Sequence, residues 1–181
     1  VIVSEPNTGK ILAMVSEPGF DPNLFTQQIS YQQWEEIAQN KENVLYNRSI
    51  QGIYPPGSVF KLITAIAALE EGVVDLKSRI YCPGHFELGN LTFKCWKETG
   101  HGYQDITEAI TNSCNVFFYT LGQKLGIEYL NYYARLFGLG QKSGIDLPGE
   151  LEGLVPSGEW KNNTFKQVWY PGDTINLSIG Q

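Results

Sequence analysis

The spacing of apolar residues predicts short strands at the start of the chain and a buried helix after residue 57. Residues 1–16 contain two apolar runs on either side of Pro6-Asn7-Thr8-Gly9, a turn sequence that indicates a hairpin. Within residues 57–72, the segment from Leu62 to Leu69 is apolar at nearly every position. A helix that is apolar on all sides belongs in a core, so we expect this one to be buried.

The rest of the chain is predicted to add a second hairpin and further helices. Residues 80–97 have the pattern of a hairpin around Gly89-Asn90. Residues 106–125 are helical in pattern with a polar break, and residues 126–138 form an amphipathic helix. Residues 139–181 are rich in Gly and Pro. The inward-facing side chains of the amphipathic helix are expected to be Leu130, Tyr133 and Leu136.

Composition suits one domain and excludes a nucleic-acid surface. The 181 residues are 42% hydrophobic and 13% aromatic, which is enough for a sizeable core. The net charge of −6 and the lack of a basic run argue against binding to nucleic acid or to an anionic membrane. The longest apolar run is too short to span a bilayer.

The tetrad Ser58-Val59-Phe60-Lys61 combines a nucleophile with a candidate base. Residues three apart share a helix face, so a helix that begins near Gly57 directs the Ser58 hydroxyl and the Lys61 amine into the same space. Burial lowers the pKa of a lysine, and a neutral lysine can take a proton from a serine. The simpler alternative is that Ser58 caps the helix while Lys61 extends to solvent.

A second polar pair lies in Ser113-Cys114-Asn115, at the joint between two predicted helices. Acyl transfer on a serine needs a proton relay to the leaving group and a polar group that orients the substrate amide. A hydroxyl and a carboxamide two residues apart can supply both. The alternative is a Ser/Asn pair that only caps a helix at a turn.

These motifs, with a third one downstream, resemble the transpeptidase domain of class B penicillin-binding proteins. The segments from Trp96 to Gly102 and from Trp160 to Gln181 are similar to the elongation-specific branch of that family. The resemblance implies an α+β fold, the one that penicillin-binding proteins share with serine β-lactamases, in which a helical subdomain packs with an antiparallel sheet. The motifs that carry it are Tyr54-Pro55-Pro56-Gly57-Ser58-Val59-Phe60-Lys61, Ser113-Cys114-Asn115 and Trp169-Tyr170-Pro171-Gly172-Asp173-Thr174.

The third active-site motif of that family, Lys-Thr-Gly on a strand, has no counterpart in this chain. We therefore expect residues 1–181 to be the N-terminal part of one transpeptidase domain, an incomplete fold that lacks one edge of the active site, part of the oxyanion hole and most of the central sheet. We do not expect this piece to act alone. The expected parts are first strands in 1–16, a nucleophile helix in 57–72, a possible metal-binding hairpin in 80–101 and a helical region in 106–138.

The resemblance also implies a reaction, the crosslinking of peptidoglycan stem peptides by a serine D,D-transpeptidase during cell elongation. Ser58 would attack the penultimate D-alanine carbonyl, and Lys61 would take its proton. Ser113 would pass a proton to the departing D-alanine, and Asn115 would hold the substrate backbone and Lys61. β-Lactams would trap Ser58 because they mimic the acyl donor. The rim of the cleft would be shaped by Trp169, Gly172 and Asp173, for which an aromatic-anchored loop is the alternative.

Three cysteines and a histidine fall in an order that suits a metal site: Cys82, Cys95, His101 and Cys114. Pairing around the predicted turn brings Cys82 and Cys95 to the open end of one hairpin. Three thiolates and an imidazole form a closed tetrahedral zinc site, which is structural rather than catalytic. The alternative is a Cys82–Cys95 disulfide with Cys114 free, which an exported location permits. Some elongation-specific members hold a metal at similar positions, with Asp in place of some of the cysteines, so the resemblance favours structural zinc.

Two other functions share parts of this pattern. A β-lactam-hydrolysing or β-lactam-sensing homologue would have the same fold. However, the nearest match to the deacylating Glu-x-x-Leu-Asn motif is Glu128-Tyr129-Leu130-Asn131, which is one residue too short, and sensors favour Ser-x-Val over Ser-Cys-Asn. The other possibility is a non-catalytic module of a cell-wall assembly complex, against which the presence of all four candidate catalytic residues argues.

Partners and location follow from the resemblance alone. It implies binding of peptidoglycan stem peptides and β-lactams, no cofactor for catalysis, and contacts with a glycan polymerase and an elongation scaffold protein. It also implies a periplasmic or extracytoplasmic domain at the inner membrane, held by an anchor upstream of this chain.

Overall fold

The computed structural model describes all residues from Val1 to Gln181 and divides them into two compact units. The smaller unit comprises residues 1–53 and 144–151, and the larger comprises residues 54–143 and 152–181. The elements are β1 (Ile2–Ser4), β2 (Ile11–Met14), α1 (Tyr31–Ala38), α2 (Arg48–Gln51), α3 (Phe60–Glu70), β3 (Ile80–Cys82), β4 (His85–Leu88), β5 (Leu91–Lys94), β6 (Gly102–Gln104), α4 (Ile106–Thr111), α5 (Asn115–Leu136), α6 (Gly158–Phe165) and α7 (Pro171–Leu177).

The smaller unit contains the predicted first hairpin and two short helices. Strands β1 and β2 pair antiparallel, with Ile2 opposite Met14. Helix α1 begins at a capping box in which the side chains of Ser30 and Gln33 each accept a backbone N–H of the other residue. The N–H of Leu151 donates to the carbonyl oxygen of Ile50 over 3.0 Å, which ties residues 144–151 to α2.

The larger unit is built around α5, which packs against α3 and α7. Its side chains dominate the core because the first half of α5 is apolar on several faces. Burying a large apolar side chain stabilises a fold by about 1.5–3 kcal/mol, so this helix organises the unit. The largest side chains that are fully buried there include Phe117, Phe118, Leu121, Leu130 and Ile175.

Helix α3 is buried except along one face. Phe60, Lys61 and Ala68 are buried, whereas Leu62 is 49% exposed and Ile66 is 37% exposed. The prediction of a helix buried on nearly all sides is therefore wrong for one face. Positions four apart lie on one face, so the side of α3 that packs on α5 leaves Leu62 and Ile66 outside.

The segment from residue 80 to residue 104 forms two antiparallel strand pairs instead of one hairpin. The β4–β5 pair lies within the chain segment that joins β3 to its partner β6. Strands β4 and β5 pair around Gly89-Asn90, which confirms the predicted turn. Strand β3 pairs with β6, so Cys82 lies opposite Gly102, and its predicted place on the same hairpin as Cys95 is wrong. Two close backbone approaches explain the change of partner: a Cβ on Gly84 would lie 2.0 Å from the Glu98 carbonyl oxygen, and a Cβ on Gly100 would lie 2.2 Å from the Cys82 carbonyl oxygen. Only glycine fits such a site.

Helix α5 bends at Gly126, whose φ of 76° is not helical. The helix predicted for residues 126–138 is the second half of this long element. Leu130 and Tyr133 are buried as predicted, but Leu136 is 63% exposed and its prediction is wrong. Steps of three residues drift by about 60° each around a helix of 3.6 residues per turn, so the third position leaves the buried face.

Residues 139–181 contain two helices that the sequence patterns did not predict. The Ser157 side chain accepts the N–H of Trp160 and so caps α6, whereas α7 begins with Pro171 in its first turn. Such caps and an early proline are recognised helix-start signals, and the high Gly and Pro content hid them.

Candidate active site

Ser58 lies in a single 3-10 turn, Gly57–Val59, that leads directly into α3. The Gly57 N–H donates to the Gly180 carbonyl oxygen over 3.0 Å, and this hydrogen bond fixes the position of the turn. Gly57 has a φ of +57°, a conformation that favours glycine. The Ser58 side chain is thereby exposed at the start of a helix whose next residues are buried.

Ser113 occupies a short linker between α4 and α5. The side chains of Asp105 and Glu108 form a capping box that fixes the start of α4. Ser113 itself has a φ of 48°, which is uncommon for a residue other than glycine. Helix α5 starts two residues later at Asn115, so the chain reverses sharply at Ser113 and points its side chain and carbonyl oxygen toward α3.

Four predicted catalytic residues form one hydrogen-bonded group. The Ser113 hydroxyl donates to Ser58 Oγ over 3.0 Å. The Lys61 amine donates to Ser113 Oγ over 2.9 Å, to the Ser113 carbonyl oxygen over 2.9 Å and to Asn115 Oδ1 over 2.7 Å. The structure thus brings together Ser58, Lys61, Ser113 and Asn115, with the Ser113 hydroxyl between the nucleophile and the amine. Neither the Ser58 nor the Ser113 hydroxyl caps a helix, and Lys61 does not extend to solvent.

The surroundings of Lys61 favour its neutral form. Its side chain is only 2% exposed, and this burial lowers its pKa, partly offset by the thiols of Cys95 and Cys114. A neutral amine has two N–H donors and one lone pair. Two of its partners are carbonyl oxygens that can only accept, and the third is a hydroxyl that can donate. A neutral amine satisfies all three partners once the Ser113 hydroxyl turns its proton from Ser58 Oγ to Lys61 Nζ.

Asn115 is oriented by both ends of its carboxamide. Its Oδ1 accepts from Lys61, and its Nδ2 donates to the Lys94 carbonyl oxygen over 3.4 Å. The Tyr119 hydroxyl donates to the same oxygen over 3.3 Å. Strand β5, which ends at Lys94, consequently sets the position of Asn115 beside Lys61.

Four side chains near this group form a candidate metal centre: Cys82, Cys95, His101 and Cys114. Their ligand atoms all lie within 4.8 Å of one another, and three of the four residues are buried. His101 Nδ1 is 3.6 Å from the sulfurs of both Cys82 and Cys95. A tetrahedral zinc site has sulfur–nitrogen edges of about 3.6 Å. All three cysteines are free thiols, so the alternative Cys82–Cys95 disulfide is not formed.

The thiols of this cluster differ in acidity. Burial raises the pKa of the Cys114 thiol to about 12. Burial also raises the pKa of Cys95, but the backbone N–H groups of Lys97, Val116 and Asn115 face its sulfur and lower the pKa overall. The N-terminus of α5 therefore stabilises a Cys95 thiolate, which is the form that binds a metal.

The three predicted rim residues lie at the start of α7, where Trp169 and Asp173 make internal hydrogen bonds. Trp169 Nε1 donates to Thr174 Oγ1 over 2.8 Å. Asp173 accepts the N–H of Tyr170 and pairs with the Lys161 amine over 2.5 Å. Gly172 would bring a Cβ to 3.4 Å from the Phe93 ring. These contacts fix α7, and a role in binding substrate stays a prediction.

Two residues that the sequence predictions left out of the site contact it. Trp96 donates its indole N–H to the Ser113 carbonyl oxygen over 3.2 Å, and Gly180 holds Gly57. One feature of the sequence pointed to Trp96, because it directly follows the candidate ligand Cys95.

By contrast, Glu128 and Asn131 of the β-lactamase-like motif lie within α5, and no hydrogen bond joins them to Ser58 or Lys61. None of the helices is both long and apolar enough to cross a membrane.

Comparison with known proteins gives matches along nearly the whole chain. A sequence profile of the penicillin binding protein transpeptidase domain matches residues 1–180. The peptidoglycan D,D-transpeptidase MrdA of Acinetobacter baumannii is 45% identical over 183 aligned residues. The alignment covers 100% of this chain and 27% of that relative, so the chain spans about a quarter of the relative's length.

Solved structures of related proteins superpose closely. Pseudomonas aeruginosa PBP2 in complex with WCK 5153 gives a TM-score of 0.92 at 44% identity, covering 99% of this chain and 40% of that one. The complex between Helicobacter pylori PBP2 and MreC gives 0.92 at 37% identity, covering 99% and 34%. The penicillin G acyl-enzyme of Mycobacterium tuberculosis penicillin-binding protein A gives 0.78 at 30% identity, covering 99% and 41%. These superpositions confirm the predicted α+β transpeptidase fold.

Proposed function

Because this chain belongs to the penicillin binding protein transpeptidase family, we propose that it is part of a serine D,D-transpeptidase that crosslinks peptidoglycan stem peptides during cell elongation. The observation that carries this proposal is the hydrogen-bonded group in which the Ser113 hydroxyl lies between Ser58 Oγ and Lys61 Nζ. A serine becomes a nucleophile only when a base can receive its proton. The group provides that base and a route to it.

In the proposed acylation step, Ser58 Oγ attacks the penultimate D-alanine carbonyl carbon of a stem peptide. The proton of Ser58 passes to Ser113 Oγ while the Ser113 proton passes to the lone pair of neutral Lys61. Hydroxyl protons can rotate, so the direction of this chain reverses without any movement of heavy atoms. The backbone N–H of Ser58 would donate to the developing oxyanion. Transfer along short, fixed distances is what makes general-base catalysis effective.

In the second half of the reaction, the protons move in the opposite direction. The Lys61 ammonium returns its proton through Ser113 to the nitrogen of the departing D-alanine, and the C–N bond breaks to leave an acyl ester on Ser58. An amine from a neighbouring stem then attacks this ester, and Ser58 leaves with a proton. Asn115 would donate from its amide to the substrate backbone while its oxygen holds Lys61. The rim residues proposed to shape the cleft are Trp169, Gly172 and Asp173.

We further propose that Cys82, Cys95, His101 and Cys114 hold a structural zinc ion. Three thiols, an imidazole and the 3.6 Å distances from His101 Nδ1 to two sulfurs support this assignment. Four protein ligands close the coordination shell, so the ion would supply rigidity and no catalytic water. Cys114 lies between Ser113 and Asn115, and these ligands would therefore tie β3 and β5 to the catalytic linker.

The proposed setting of the protein is the cell envelope. MreC forms a complex with the Helicobacter pylori relative, and we propose a scaffold protein of that kind as a partner, together with a glycan polymerase. A periplasmic or extracytoplasmic location at the inner membrane, with an anchor outside residues 1–181, fits a peptidoglycan substrate. No cofactor is required for the acyl-transfer chemistry described above.

The test of the proposed function is the intact mass of the full-length protein after incubation with penicillin G, compared with a Ser58→Ala variant. We expect one covalent adduct per chain on the unmodified protein and none on the variant, with slow loss of the adduct over hours. Absence of an adduct on a folded, zinc-loaded protein would favour the non-catalytic module. Rapid turnover with release of hydrolysed penicillin would favour the β-lactamase alternative.

A further inference from the structure

Three consecutive residues, Lys94, Cys95 and Trp96, lie against the catalytic linker formed by residues 113–115. The Lys94 carbonyl oxygen accepts from Asn115 Nδ2 over 3.4 Å. The Cys95 sulfur faces the backbone N–H of Asn115 and lies in the same cluster as the Cys114 sulfur. Trp96 contacts Ser113. The two segments are thus matched residue by residue in antiparallel order, and Trp96 is the member that contacts Ser113, the residue hydrogen-bonded to Ser58.

Trp96 is fixed although most of its side chain is exposed. Its indole N–H donates to the carbonyl oxygens of Asn112 over 3.0 Å and Ser113 over 3.2 Å. Its ring lies edge-on to the His101 ring, with 5.2 Å between centroids. The side chain is 64% exposed, so burial does not account for its position. The two carbonyl contacts and the histidine contact hold it against the linker.

Ser113 requires support of this kind. Its left-handed backbone conformation is strained for a residue that is not glycine. This conformation directs the Ser113 carbonyl oxygen toward two donors, Lys61 Nζ and Trp96 Nε1. If Trp96 did not donate, Lys61 alone would hold the carbonyl, and Lys61 must change protonation state during acyl transfer.

We propose that Trp96 is a positioning residue for acyl transfer. Its indole N–H holds the Ser113 backbone so that the Ser113 hydroxyl remains between Ser58 and Lys61 when Lys61 takes up and releases its proton. The effect on reaction rate rests on the proposed transpeptidase function. The effect on the order of the catalytic linker does not.

The experiment compares Trp96→Phe with Trp34→Phe in the full-length protein. Phenylalanine keeps a ring beside His101 but removes the N–H donor, and Trp34 is a half-exposed tryptophan on α1 in the smaller unit. Hydrogen exchange of residues 112–116 measures the order of the linker independently of activity. Penicillin G acylation kinetics separate the acylation rate constant from the dissociation constant of the preceding non-covalent complex. Zinc content and exchange elsewhere in the chain report on folding.

For Trp96→Phe we expect faster exchange in residues 112–116 and an acylation rate constant about five- to tenfold lower, because one hydrogen bond is lost. The dissociation constant, zinc content and exchange elsewhere should not change, and Trp34→Phe should match the unmodified protein. Unchanged exchange in the linker overturns the inference. Faster exchange with an unchanged acylation rate also overturns it. If the unmodified protein is not acylated but exchange responds as expected, the support of Ser113 by Trp96 stands and the transpeptidase proposal fails.

Discussion

Lys61 shows how the environment of one residue sets its chemistry. A lysine in water is a cation, and in that form it cannot accept a proton from Ser58. In this chain, Lys61 is buried among two carbonyl oxygens and one hydroxyl, a set that a neutral amine satisfies when the Ser113 hydroxyl donates to it. The Phe118 ring, 5.6 Å from Nζ, closes one side of the site. Burial thus lowers the pKa of Lys61 and fixes its amine in the position that the proposed base requires.

The first residue-scale prediction concerns the pH dependence of acylation. Below the pKa of Lys61 its amine is protonated, so acylation should rise as pH increases through that pKa. Because burial lowers the pKa, the midpoint should lie below the ordinary value of 10.5. Penicillin acylation rates measured across a range of pH would show this rise and its midpoint. Between the lowered and the ordinary pKa the unfolded chain binds more protons at Lys61, so its contribution to stability also rises with pH.

A Lys61→Arg variant provides the matched control for that profile. Arginine keeps the positive charge and the donors but does not lose its proton in proteins. We expect acylation to be about a hundredfold to ten-thousandfold slower, which is the usual contribution of a general base. The acylation rate should also no longer rise with pH. An arginine variant that acylates at the original rate would show that Lys61 is not the base.

At the scale of elements, the proposed nucleophile Ser58 is held by the end of α7. Gly180 follows this helix and accepts the N–H of Gly57, while Thr64 of α3 donates to the Ser178 carbonyl oxygen over 2.8 Å. Gly122 of α5 meets the Ser178 side chain so closely that a Cβ there would lie 2.4 Å from the serine Cβ. Three helices therefore converge behind Ser58, and the turn that presents it has little freedom to move.

This convergence predicts a strong effect of Gly180→Ala. A Cβ at residue 180 would lie 2.3 Å from the Gly57 carbonyl oxygen and 2.8 Å from the Phe60 Cβ, so the turn before α3 must shift. Gly72→Ala is the control, because Gly72 also has a positive φ but nothing lies within 4 Å of its Cβ position. We expect the control to lose about 1 kcal/mol of stability and Gly180→Ala distinctly more.

Thermal unfolding and penicillin acylation measure the two consequences. For a chain of this size, 1 kcal/mol corresponds to about 2–4 °C in the unfolding temperature. Only Gly180→Ala should also slow acylation, because only it displaces Ser58. Equal effects of the two variants on both measurements would show that α7 does not position the nucleophile.

At the scale of the whole molecule, the cysteine cluster and the catalytic group are joined through residues 113–115. The cluster draws on β3, on the loop from Cys95 to His101 and on the linker before α5. These segments are separate in sequence, and the short β3–β6 ladder holds β3 beside the residue that follows His101. A bound metal would cross-link them, so its removal should affect both stability and reactivity.

Metal removal is therefore expected to lower the unfolding temperature and slow acylation. A ligand that binds only the folded state, at one hundred times its dissociation constant, stabilises that state by about 2.7 kcal/mol. Zinc content and unfolding temperature would be measured for His101→Asn and for His85→Asn, an exposed histidine on β4. Only the first variant should lose zinc and stability. A metal-free protein with a Cys82–Cys95 disulfide, detected by a mass 2 Da below the reduced form, would contradict the zinc assignment.

The sequence determined the features that depend on neighbours along the chain. The Ser58–Lys61 spacing and the Gly89-Asn90 turn follow from local rules of helix and hairpin geometry, so they could be predicted. The resemblance, carried by residues throughout the chain, identified the α+β fold. Cys82, Cys95, His101 and Cys114 were recognised as a set from their residue types and order, although the predicted hairpin that joined two of them was wrong.

Only the tertiary structure decided which distant segments meet. The pairing of β3 with β6 depends on close backbone contacts at Gly84, and the support of Ser58 by Gly180 depends on how α7 packs. The contact of Trp96 with Ser113 and the exposure of Leu62 on α3 likewise depend on packing partners. Spacing along a chain fixes the direction of a side chain on its own element, whereas the neighbour it meets is set by packing energy summed over the whole fold.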